Sequence, residues 1–79
     1  MKRKEIFFDK ERSYGLTKDK AGKYYLEVVC GTIGMEFLII MLTEDEMLAY
    51  QREGKTYLDD LSWEICKNKR QYEDRFIDE

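Results

Sequence analysis

The chain has no histidine and no proline among its 79 residues, and only two cysteines and one tryptophan. Each scarcity narrows its chemistry. Without histidine there is no Ser-His or Cys-His nucleophile pair, and the commonest general base and metal ligand is missing. Without proline, connections are expected to be short and shaped by glycine. The leading segment MKRKEIFFDKERS has a single apolar run, Ile6-Phe7-Phe8, too short for a signal peptide core or a membrane span. With no such segment ahead of them, the widely separated Cys30 and Cys66 are read as reduced thiols of a cytoplasmic protein rather than as a disulfide. No histidine or CxxC pair joins them, so zinc is not expected, and no cofactor is implied.

What is present is a small, heavily charged domain. Charged residues make up 39% of the chain, well above the usual quarter or so, and aromatics supply 14%. Large rings suit a core that has few residues from which to be built. The charge is uneven. Residues 1 to 23 carry a net +4, residues 24 to 66 a net −7, and the remainder balances, for −3 in all. Such a chain can dock its basic start on its acidic body, or show a partner two faces of opposite sign.

Period-2 patterning predicts a hairpin joining residues 12–18 to 23–30 through Asp19-Lys20-Ala21-Gly22, with Ile6-Phe7-Phe8 having strand propensity but little alternation. KYYLEVVC then puts Tyr24, Leu26, Val28 and Cys30 on one face. MEFLIIML, residues 35 to 42, is apolar on both faces, so it is expected to be a central strand covered on both sides or lying at an oligomer interface, and the most deeply buried segment. Thr43-Glu44-Asp45-Glu46 is a capping box opening a helix that should turn Met47, Leu48 and Gln51 inward and end at Gly54. Thr56 with Asp59 is a second cap, opening a helix with Leu58, Leu61 and Ile65 inward that ends near Asn68. The tail RQYEDRFIDE is read as a C-terminal edge strand. This order specifies one α+β domain over residues 1–79, with an antiparallel sheet of three or four strands and two helices on one face.

Four features invite a functional reading. In VVCGTIGME, a thiol stands beside two glycines. Phosphate loops run directly into a helix N-terminus, but here a strand follows, and the nearest local charges, Glu27 and Glu36, are acidic. Gly31 through Gly34 therefore read as a hairpin loop and Cys30 as a small hydrophobe. The acids Glu44, Asp45, Glu46, Asp59, Asp60 and Glu64 serve helix dipoles first. As a functional surface they suit docking of a basic partner better than catalysis. Trp63 falls on the polar face of its helix, so it is either covered by the tail aromatics Tyr72 and Phe76 or a contact residue. The basic start with Lys2, Arg3, Lys4, Lys10 and Arg12 could touch nucleic acid, but acids interleave it and no nucleic-acid-binding signature follows.

The expectation is a non-catalytic protein-binding module of regulatory, inhibitor or immunity type. Its partner-binding residues would be Trp63, Asp59, Asp60, Glu44 and Asp45. The alternatives are a nucleic-acid-associated protein using the basic N-terminal segment, and a small enzyme using carboxylates or Cys30. A homodimer through exposed sheet or Trp63 is compatible with all three.

Overall fold

A computed structural model describes residues 3–31 and 36–77. Its sheet is an antiparallel meander in which β1 (Arg3–Asp9), β2 (Tyr14–Asp19), β3 (Tyr24–Cys30) and β4 (Glu36–Met41) lie in chain order. Then come α1 (Glu44–Glu53), α2 (Lys55–Lys67), the short α3 (Lys69–Tyr72) and a single 3-10 turn over Glu73–Arg75. The α+β architecture expected from the sequence is the one found. No helix of the described residues is long and apolar enough to cross a membrane.

The register explains which side chains meet. Phe7, Leu16, Leu26 and Ile40 form one cross-strand row, and Tyr14, Val28 and Leu38 the next. Both rows face the helices and meet Leu58, Leu61 and Ile65 of α2 in one core. The opposite, outer face carries Glu5, Phe8, Gly15, Thr17, Tyr25, Glu27, Phe37, Ile39 and Met41; Phe8, Phe37 and Met41 are exposed there, while Thr17, Tyr25 and Ile39 are buried. β1 is longer than its weak alternation suggests, because a bulge between Glu5 and Phe7 breaks the period-2 pattern.

Three expectations need correction, and a fourth falls largely outside the described residues. β4 is an edge strand rather than a central one, and Phe37 and Met41 are exposed while Ile39 between them is buried; it lost its alternation because both of its faces carry apolar residues. Met35 and positions 32–34 of the expected glycine loop lie outside the described residues, while Gly31 has positive φ. In α1, Met47 and Tyr50 pack on the core but Leu48 and Gln51 are exposed, since this helix sits at the margin and buries none of its residues fully. The tail is helical rather than extended, and only Phe76 bridges to Ile40, with the Ile77 amide donating to the Ile39 carbonyl at 2.9 Å.

The capping box is present as expected: the Glu46 amide donates to the Thr43 hydroxyl and the Thr43 amide to the Glu46 carboxylate. Gly54 closes α1 and also opens α2, so Thr56 is not the cap of the second helix. Its φ of 77° lets the chain turn a corner within one residue. Arg75 then ties the tail down by a bidentate grip on Glu46 (2.5 and 3.0 Å) and a bond to the Met41 carbonyl (2.9 Å).

Candidate functional site

An open groove of about 900 Å³ lies beside α2. One wall is the β1–β2 connection, Glu11, Arg12 and Ser13; the end of β3, with Val29, Cys30 and Gly31, lies beneath it. The other wall is α2, contributing Thr56, Asp59, Asp60, Ser62, Trp63 and Cys66. Strand alternation turns Cys30 toward the helices, and the helical stripe puts Cys66 at the flank of the buried Ile65. The two therefore meet, and they form a disulfide with Cα atoms 5.4 Å apart. This overturns the reading as reduced thiols.

Trp63 stands at the rim of the groove and is 71% exposed. Of the two readings of Trp63, cover by the tail does not form, because Tyr72 and Phe76 pack against the core. A helix whose buried stripe is Leu58, Leu61, Ser62 and Ile65 must turn position 63 outward.

Asp59 also has a role within the fold. Its carboxylate accepts from the Tyr14 hydroxyl at 2.5 Å and from the Lys55 ammonium at 2.9 Å, and lies 3.6 Å from Arg12. Lys55 also bonds Asp9 at 2.7 Å, and Asp9 caps the β1–β2 turn by accepting the amides of Glu11 and Arg12. The result is a charged knot that pins the turn to α2. The Tyr14 hydroxyl and then Lys55 hold Asp59 below the usual carboxylate range, although partial burial opposes them. Lys55 and the turn amides bring Asp9 down to about 2. Burial first, and then Asp59, push the Tyr14 hydroxyl well above its ordinary value.

Asp60, by contrast, is exposed at the groove and bonds to no other side chain among the described residues; the Glu11 carboxylate on the facing wall is likewise uncommitted. Glu44 and Asp45 are exposed at the start of α1, where Glu44 lines a separate hollow of about 230 Å³ with Lys23, Tyr24 and Met47. So the structure brings together Trp63, Asp59 and Asp60, and leaves Glu44 at another place. Glu11 was missed from the sequence because nothing local marks a turn residue as the far wall of a groove. Of the hydroxyls at the groove, Ser62 donates to the Asp59 carbonyl at 2.8 Å, a helix-internal use.

The basic start is partly consumed. Arg3 bonds Glu27 at 3.1 Å and lies over the Tyr25 ring, and Arg12 belongs to the charged knot. No protein-family model, curated protein sequence or solved structure matches the chain.

Proposed function

We propose that the chain is a small non-catalytic binding module that recognises a positively charged segment of a protein partner at the groove beside α2. The observation that carries this is Trp63, 71% exposed at the groove rim. Keeping a tryptophan in water has no value for the fold, whereas a partner that covers it gains both area and an aromatic face. Asp60 and Glu11 supply uncommitted negative charge on the two walls. A lysine or arginine placed between them would pair with carboxylate and stack on the indole. Regulatory, inhibitor and immunity-type proteins act through surfaces of this kind. Glu44 and Asp45 add long-range acidic steering rather than direct contact.

The test is affinity capture from the source cells with wild-type and Trp63→Ala protein, followed by titration of the recovered partner. The expected result is at least a tenfold weaker complex for the variant, with the circular dichroism spectrum unchanged. Equal affinity for both proteins removes the Trp63 surface from recognition.

A nucleic-acid role draws support from Lys4, Lys18 and Lys20, which gather with Arg3 around a hollow of about 340 Å³. The internal pairing of Arg3 and Arg12 weakens it. Salt-dependent binding of a labelled oligonucleotide that is lost in Lys4→Ala would favour that role over the first. As to location, the Cys30–Cys66 disulfide supports an oxidising compartment and weighs against the cytoplasm. Alkylation of the thiols in intact cells reads the oxidation state directly.

A further inference from the structure

We propose that the Cys30–Cys66 disulfide is a redox-reactive bond that exchanges with cationic dithiols entering by the groove beside α2. The reaction is stoichiometric, and it rests on the uncommitted acids of the proposed partner surface but not on Trp63. Both cysteines line the groove. Their exposures differ, and the difference fixes which sulfur reacts. Cys30 is 3% exposed and belongs to the core, whereas Cys66 is only partly buried, on the flank of α2. A thiolate attacks the sulfur it can reach, so it bonds to Cys66 and displaces Cys30.

The exchange runs in two steps. The incoming thiolate forms a bond to the Cys66 sulfur as the Cys30–Cys66 bond breaks, and Cys30 leaves with the electron pair and takes up a proton. The second thiol of the same reductant, as its thiolate, then attacks the reductant's own sulfur in this mixed disulfide. The reductant closes its disulfide, and Cys66 departs as a thiolate and is protonated. Two electrons and two protons pass from the dithiol to the protein. The fold accommodates the product, because a protonated Cys30 packs in the core as a small hydrophobe. Leu58, Leu61 and Ile65 still hold α2 on the sheet.

The charge of the groove selects the reductant. Glu11, Asp59 and Asp60 line it, against the single cation Arg12. Arg12 is committed to the knot, 3.5 Å from Asp9 and 3.6 Å from Asp59. Glu11 and Asp60 remain, one on each wall, and a thiol that enters the groove meets their field. A cleft lined by one sign of charge concentrates the opposite sign, so cationic thiols gather at Cys66 and anionic ones are repelled. A cysteine pair flanked by lysine or arginine has the matching chemistry.

The test mixes the oxidised full chain with two short dithiol peptides sharing a cysteine-glycine-cysteine centre, one ending in lysines and the other in glutamates. Acid quench and mass spectrometry follow the products. Each rate is divided by the same peptide's rate on a small uncharged disulfide, which removes differences in intrinsic thiol reactivity. The expected result is reduction without denaturant, at least about tenfold faster by the lysine peptide, through a mixed disulfide on Cys66. That preference should fall at least about threefold in Glu11→Gln/Asp60→Asn and in about 1 M salt, with the circular dichroism spectrum of the variant unchanged. A bond reduced only in denaturant, an adduct on Cys30, equal normalised rates, or a preference untouched by the double variant overturns the proposal. No partner protein enters this experiment, so its failure leaves the Trp63 surface standing, and the reverse holds as well.

Discussion

At the scale of single residues, Asp9 and Asp59 show how the pH response is set. Both carboxyls titrate below their unfolded range in the folded chain, Asp9 near 2, because Lys55, the Tyr14 hydroxyl and the turn amides bond the charged form. A depressed folded value means stability that is complete above the unfolded value of about 3.9 and lost as pH falls toward the folded one. Thermal melts between pH 5 and pH 2 should therefore drop steeply, and Asp9→Asn should flatten that drop while lowering stability at pH 7. Tyr14→Phe keeps the buried ring but removes its bond to a carboxylate, and a cost of about 1.5 kcal/mol in urea denaturation is expected. Trp63 was legible as an outward residue because three buried positions fix the helical wheel. Its freedom from cover was not legible: whether a tail aromatic reaches it depends on where Asn68 redirects the chain, and no local pattern encodes that. The bonds of Asp59 within the fold were not legible for a similar reason. Its partners Tyr14 and Arg12 lie more than forty residues away.

Among the elements, the helices and hairpins with local determinants were read nearly to the residue. Thr43 and Glu46 form their box within one turn, and Thr43→Ala should cost about 1 kcal/mol in chemical denaturation. The β2–β3 hairpin was legible because alternation and the Asp19–Gly22 turn agree; the Asp19 carboxylate accepts the amides of Ala21 and Lys23 there. β4 was assigned the wrong place. A strand apolar on both faces has the same pattern whether it is central or at an edge, so period alone cannot distinguish them. At Gly15 an added methyl would come within 2.9 Å of the Phe7 carbonyl, a backbone atom, as well as meeting the Phe8 ring. Gly15→Ala should therefore destabilise by about 2 kcal/mol and displace Phe8 from the outer face. The disulfide joins the end of β3 to the end of α2 across 36 residues. A loop of that length implies about 3–4 kcal/mol, to be read as the loss of stability in a Cys30→Ser/Cys66→Ser double variant.

For the molecule as a whole, the charge asymmetry seen in the sequence resolves into positions. The Lys4–Lys18–Lys20 hollow belongs to the basic start, and the uncommitted acids Asp60 and Glu44 to the helices. Between them the charged knot spends opposite charges on each other, which the net values alone could not reveal.

The meander also fixes an order of events. Every strand pairs with its neighbour in sequence, so the sheet can grow by successive hairpins with no crossover to thread, the kind of topology that folds fast. In the folded chain Cys66 meets Cys30 where the end of α2 lies against the end of β3. Oxidation is therefore expected to follow the hairpins and to lock a fold that they have already chosen. An oxidant added early should neither redirect nor accelerate folding, and should only slow its reversal.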